Sequence, residues 1–343
     1  MRTPARGRGG VRVLVAVCCA VLVLVCVGSV VVGGGGVHVD EVLRSLGTRM
    51  GFDVEPLSAL RDSVIWELRL PRVLLAAAVG AGLACCGAVL QTVTRNALAE
   101  PYLLGVSSGA STGAVLVLVL GFGSGVLSLS AGALIGGLVA FGLVVALLGR
   151  GSIGTGRLVL TGVVVGQLFT ALTSLVLIAS GDADSTRSIT YWLLGSLAAA
   201  RWPAVGTACV VVILLLVVCR VLASSLDAFS FGDDAAASLG VRVRATRVVA
   251  IVAAAVVTAV MVASVGAIGF VGLIVPHGVR MLVGAEHRRL VPVSAVVGAL
   301  FLVVADGLGR LVFAPQQIPV GVVTALVGVP LFLVVLRRRG FGS

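Results

Sequence analysis

Lysine is missing from this chain: all 25 of its Lys and Arg positions are arginine. A nucleotide-binding loop of the common design needs a lysine after its glycines to reach the phosphates, so ATP hydrolysis of that kind is excluded here. Acidic residues number only 14, charged residues of both signs make up 11% of the sequence, and aromatics 5%. Soluble domains carry roughly 25% charged residues, and a water-soluble fold of this composition would expose apolar surface it could not cover. The three histidines form no HExxH pair, and no cysteine has a histidine partner at zinc-ligand spacing. No metal centre, cofactor site or catalytic constellation is therefore expected. Cys18, Cys19, Cys26, Cys85, Cys86, Cys209 and Cys219 all lie inside apolar runs and read as small membrane-core residues.

What the chain does have is hydrophobicity: 59% of its 343 residues are apolar and the mean hydropathy is +1.19. This rules out disorder, and the glycines lack the three-residue period of collagen. The reading is an all-α integral membrane protein, a single transmembrane domain over 1–343. At about 20 residues per helical span there is room for about ten spans, placed at 13–32, 72–94, 102–121, 125–148, 158–180, 203–224, 248–268, 269–284, 290–308 and 318–336. The first run is too long for a signal-peptide core and lacks a clear cleavage site, so it reads as a helix that stays. The short 269–284 run contains Pro276 and His277.

The arginines set the orientation. With the N-terminus inside, the inner segments hold Arg2, Arg6, Arg8, Arg12, Arg95, Arg150, Arg157, Arg220, Arg242, Arg244, Arg247, Arg280, Arg288, Arg289 and Arg337 to Arg339. The outer ones hold Arg44, Arg49, Arg61, Arg69, Arg72, Arg187, Arg201 and Arg310. This inner excess predicts N-in and C-in termini. Residues 1–12 and 337–343 are then inner tails, 33–71 an outer loop and 225–247 the longest inner connection. The net charge of +11 is topology-setting loop charge, scattered between apolar runs, and no nucleic acid partner is expected.

Local patterns add detail. Gly105, Gly109 and Gly113, then Gly132 and Gly136, then Gly162 and Gly166 recur every four residues, which lets helix backbones approach closely in lipid. Asp233 and Asp234 precede an alanine run and favour a helix start, and Gly240 can end that helix. Asp306 is the one plausible intramembrane carboxylate, and Arg310 four residues on can pair with it. An ion-driven carrier usually needs more buried carboxylate than this, so the energy source is expected in a partner.

Two blocks carry a likeness to a known family. One runs Arg69-Leu70-Pro71-Arg72, Gly80-Ala81-Gly82, Gly87-Ala88-Val89-Leu90-Gln91, Arg95-Asn96-Ala97-Leu98-Ala99-Glu100-Pro101 and Leu104-Gly105-Val106-Ser107-Ser108-Gly109. The other runs Gly269-Phe270-Val271-Gly272-Leu273-Ile274-Val275-Pro276-His277, Arg280, Gly284, His287-Arg288, Ala305-Asp306, Arg310, Pro319-Val320-Gly321 and Gly328-Val329-Pro330. Together they resemble the FecCD-type permeases of ABC importers for iron–siderophores, haem and vitamin B12. The resemblance implies a permease of the cytoplasmic membrane with ten spans, paired with a second permease subunit. It also implies a cytoplasmic ATPase dimer and an extracytoplasmic substrate-binding protein, with an iron(III)–siderophore complex as cargo. It assigns docking of the binding protein to Arg69, Arg72 and Arg310 as exposed outer charges, and ATPase coupling to Asp233, Asp234, Ala235, Leu239 and Gly240. Gln167 and Thr324 become candidates for lining the pathway. Two positions depart from the family pattern: Ala97 stands where Asn-Pro is usual, and Gln317 where an acidic residue is common. The competing reading is an ion-gradient-driven carrier of a small organic solute built on Asp306.

Overall fold

The structure is a computed structural model that describes residues 8–32, 36–119, 126–149, 155–180, 189–312 and 316–338. Most of both expected tails, with Arg2, Arg6 and Arg339, lies outside the described residues, as do Arg150 and Arg187. All regular structure among the described residues is helical. The principal helices are α1 (Arg8–Val31), α2 (Val39–Arg49), α3 (Ala59–Val93), α4 (Val106–Val119), α5 (Val126–Leu148), α6 (Thr155–Ser180), α7 (Trp202–Ala228), α8 (Asp233–Ser238), α9 (Val243–Val265), α10 (Val271–Val283), α11 (His287–Leu311) and α12 (Val320–Arg338).

Seven of these, α1, α3, α5, α6, α7, α9 and α11, are long and apolar enough to cross a membrane. Apolar segments of α4, α10 and α12 (Val106–Val119, Val271–Val283 and Val320–Val334) are shorter. The expected outer loop at 33–71 is largely helical. It holds α2 and the first three turns of α3, tied together by Arg49–Asp62 (2.9 Å) and Arg61–Glu41, while Arg44–Glu55 (3.3 Å) ties α2 to the connection between them. Local charge pairs of this kind supply what a polar segment lacks in apolar burial. They are invisible to a hydropathy reading because they join residues 11 to 20 positions apart in the sequence.

Helix α3 is the central pillar, 89% of its most apolar window being buried, against 11% for α1. It packs on α7, α9, α10 and α11. Pro71 cannot donate to the carbonyl of Glu67, and the ladder widens to a π-helical stretch over Val64–Arg69 just before it. Glycine permits the tightest contacts. A Cβ on Gly87 would lie 1.8 Å from the Gly272 carbonyl oxygen, and one on Gly80 2.2 Å from that of Gly298. The glycine stripes of α4 and α5 meet as expected: Gly109 and Gly113 face Gly136 and Gly132 at backbone contact. Gly162 meets the Leu103 carbonyl, whereas a Cβ on Gly166 would find only ordinary contact with Ser108.

The two blocks of sequence that suggested a family meet in space. The connection from α3 to α4 turns under α10, where Pro101 packs on Gly272. Glu100 accepts the Phe270 N–H at 2.6 Å, and the Tyr102 hydroxyl accepts that of Ile268. Burial pushes the Glu100 carboxyl above its ordinary value of 4.5, opposed by the Phe270 amide. Where Asn-Pro is usual, Asn96 makes the turn by itself, its side-chain oxygen accepting the Leu98 N–H at 2.9 Å.

Candidate functional site

Chemistry-bearing side chains gather at both ends of the α3–α11 pair and along one face of α6. At the first end, Arg72 of α3 grips Asp306 of α11 through Nε (3.0 and 3.1 Å) and Nη2 (2.8 Å). Arg310 Nε lies 3.0 Å from the other carboxylate oxygen, which is the i,i+4 pair expected from the sequence. Arg310 also donates to the Ser29 carbonyl and hydroxyl and to the Val32 carbonyl, and Arg69 to the carbonyls of Val30 and Val31. The last carbonyls of a helix have no partner within it, so these two arginines cap the end of α1.

That corrects one expectation. Arg69 and Arg310 are buried, where exposed charges were expected. Arg72 is 12% exposed and Asp306 2%. The buried carboxylate takes its hydrogen bonds from Arg72 of α3 and has the Arg310 guanidinium of its own helix beside it as a second positive charge, which is the condition for keeping a charge in such a place. Arg72 Nη1 continues outward to the exposed Gln317 at 2.6 Å. The amide thus keeps an acceptor where the family often has a carboxylate.

At the other end, α8 forms as expected between Gly232 and Gly240. Asp233 takes two hydrogen bonds from Arg247 of α9, at 2.7 and 2.9 Å, and the Arg247 guanidinium lies 5.5 Å from the centre of the Phe229 ring. Asp234 and Gly240 are exposed, and Ala235 is half-buried. Phe231 (76%) and Leu239 (69%) flank α8 as exposed apolar side chains. The sequence reading missed Phe231 and Arg247. The phenylalanine was legible as a large apolar residue beside a charged inner helix; the arginine's partner was not.

Behind α8 lies a polar link between helices. Asp227, near the end of α7, accepts the His287 backbone N–H at 2.8 Å and stands 2.6 Å from its Nδ1. A carboxylate only accepts, so Nδ1 carries the proton. His287 Nε2 is 2.9 Å from the Thr92 hydroxyl of α3, which Arg280 of α10 also approaches. Four helices are joined by one chain of side chains.

The pathway candidates separate. Gln167 is exposed on α6, on the same face as Thr170 and Ser174, with Thr170 reaching Ser108 of α4 at 3.4 Å. Thr324 is buried in the chain's own core and donates to the Gly321 carbonyl at 3.0 Å. It does not share that face. Gly105 to Gly109 spells G-x-S-x-G, but the 3₁₀ turn Pro101–Leu104 precedes it rather than the strand of a nucleophile elbow. Among the described residues no group of three or more His, Cys, Asp or Glu could hold a metal ion.

Known proteins resemble this chain over most of its length. Residues 21–338 match the FecCD transport family. The cobalamin import system permease protein of Halobacterium salinarum is 43% identical over 277 residues, covering 80% of this chain and 74% of its own. The iron(3+)-hydroxamate import system permease protein of Bacillus subtilis is 35% identical over 345 residues, covering 98% and 86%. A metal-chelate type ABC transporter, solved in an inward-facing conformation, superposes with a TM-score of 0.80 at 32% identity, covering 95% of this chain and 99% of that one.

Proposed function

The chain belongs to the FecCD transport family, and on that premise we propose that it is the membrane subunit of an ATP-driven importer. Its cargo is an iron(III)–siderophore complex, and haem or cobalamin would suit the same scaffold. Two permease subunits enclose the pathway, and the exposed polar face of α6 with Gln167, Thr170 and Ser174 lines it. Ten apolar segments cross the cytoplasmic membrane with both termini inside. An extracytoplasmic binding protein delivers the cargo, and a cytoplasmic ATPase dimer drives the cycle.

The observation that carries this reading is α8. It is pinned to the bundle by the Asp233–Arg247 pair while it presents Phe231 and Leu239 outward, with Gly240 ending it at φ 81°. A short helix fixed at its base and apolar at its tip is built to be pushed by a partner. The chain itself has no lysine for a nucleotide site, so the push must come from outside. Docking falls to the arginine cluster at the opposite end. Arg72 with Gln317 forms its accessible edge, and Arg69 and Arg310 stand behind as fixed positive charge. Rim charges of this kind act chiefly on encounter rate.

The test is reconstitution with the ATPase and binding protein. Gly240→Trp should leave the protein folded in the membrane and ATP hydrolysis running, with uptake uncoupled from it; normal coupling in that variant overturns the assignment of α8. A carrier cycle built on Asp306 would have to break its contacts with both Arg72 and Arg310 at every turnover. Uptake that continues with a collapsed ion gradient and supplied ATP excludes it.

A further inference from the structure

Outside both clusters, a slot of about 280 Å³ opens between α1, α7 and α11. Val15, Leu216, Val291 and Val296 contribute apolar wall, and Arg220 and Arg288 contribute its charged rim. Both arginines are exposed, and neither makes a hydrogen bond or salt bridge to another described residue. The surface around the slot is apolar: Val13 and Val17 of α1 and Ile213, Val217 and Val221 of α7 are exposed. In a chain of these long apolar helices, such a surface faces lipid. Arg288 is the second residue of α11 and Arg220 lies about two turns before the end of α7. The two charges therefore sit where helices end, above wall that continues along the helix interiors.

We propose that this slot binds one anionic phospholipid, its phosphate held between Arg220 and Arg288 and an acyl chain laid along the apolar wall. Charge complementarity selects the headgroup: two guanidiniums without a bonded partner at the edge of a lipid-facing surface are the usual arrangement for an anionic head. The apolar wall selects a lipid over a free phosphate, which would leave it uncovered. A second copy of this chain, itself carrying a net charge of +11, is a poor occupant for a positive rim. His287 also lines the slot, so the bound head lies beside the Asp227–His287–Thr92 link and bears on the position of α7 and α11.

The test uses the purified full-length chain in detergent, with lipid retention read by native mass spectrometry. Phosphatidylglycerol and phosphatidylcholine with identical acyl chains are added in separate titrations, and glycerol 3-phosphate in a third. Wild type should retain phosphatidylglycerol over phosphatidylcholine by about 25-fold, with about 5-fold lost for each arginine replaced. The double variant Arg220→Gln/Arg288→Gln should show no preference, and Arg220→Lys/Arg288→Lys should keep it. Arg201→Gln, at the opposite end of α7, should behave as wild type, and unaltered elution on size exclusion establishes folding for each. A wild-type preference in the double glutamine variant overturns the proposal, as does equal retention of phosphatidylcholine or equal binding of glycerol 3-phosphate.

Discussion

Replacing Asp306 by asparagine removes one unit of charge and almost no volume from a place where three arginines converge. Arg72 and Arg310 share the Asp306 carboxylate, with Arg69 nearby, and without it they share none. The asparagine would retain one acceptor oxygen and turn an N–H₂ toward guanidinium groups that only donate. Removing one partner of a buried ion pair costs about 3–5 kcal/mol. Arg72 is 12% exposed and can rehydrate its charge, which places the loss near the lower bound, about 3 kcal/mol. That corresponds to roughly a 150-fold change in the folding equilibrium. The assay is reversible unfolding in mixed micelles, followed by circular dichroism. A cycle with Arg72→Gln isolates the pair, since removing the arginine first takes away one of the charges that the asparagine would strand. The double variant should therefore lose distinctly less than the sum of the singles. A loss in Asp306→Asn within about 0.5 kcal/mol, the range of an ordinary surface change, would refute the idea that this carboxylate holds α3, α11 and α1 together.

Three further outcomes follow from packing and charge. Gly87→Ala puts a methyl group 1.8 Å from the Gly272 carbonyl oxygen; it should drive α3 from α10, break the Gln91–Leu273 hydrogen bond and cost about 1–3 kcal/mol. Gly206→Ala, with nothing within 4 Å of the new Cβ, should be neutral or stabilising by up to about 1 kcal/mol, because Ala favours a helix; thermal unfolding of the two variants side by side checks both. Glu100→Gln keeps an acceptor for the Phe270 N–H while removing a charge whose burial raises its pKa above 4.5. A carboxyl with a raised folded pKa favours the fold while protonated and weakens it as pH rises through that value. The glutamine variant should therefore be the more stable protein at neutral pH and lose that advantage below about pH 4.5, and a neutral-pH unfolding midpoint no higher than wild type would contradict this.

What the sequence made legible was local. Asp306 and Arg310 are four residues apart on one helix, and they pair. Gly109, Gly113, Gly132 and Gly136 stand on two stripes, and the stripes meet. Asp233 and Gly240 bracket a short helix, and it forms. What escaped was long-range or cut against the usual fate of a residue type. Arg72 reaches Asp306 across a separation of 234 residues, and Asp227 reaches His287 across 60; no periodicity encodes either. The resemblance and the arginine count make Arg69 and Arg310 exposed charges, and only the bare carbonyls at the end of α1 explain their burial. Thr324 is a pathway candidate by resemblance, yet it is buried and its hydrogen bond goes back to Gly321 on its own helix.

The placement of these ties bears on how the protein moves. Helix α3 carries Arg72 just past its π-helical stretch and Thr92 at its far end, and α11 carries Asp306 near one end and His287 at the other. The same two helices are thus bound together at both ends by polar contacts. Between those ends, Gly80 and Gly298 bring their backbones within carbonyl contact, which leaves no room for one helix to slide past the other. Packed elements held at three levels move as a unit, because close-packed interfaces resist gradual deformation. In the importer proposed above, a push on α8 would reach this unit along α7 to Asp227 and His287, and a load on the arginine cluster would reach it through Arg72 and Arg310. Any alternation between inward and outward access must then occur where such ties are absent. The candidate is a second unit made of α4, α5 and α6, held together by glycine backbone contacts as close as that of Gly80 with Gly298 and by hydroxyl groups such as Thr112 and Thr173, 2.8 Å apart, with no ion pair to α3 or α11 among the described residues.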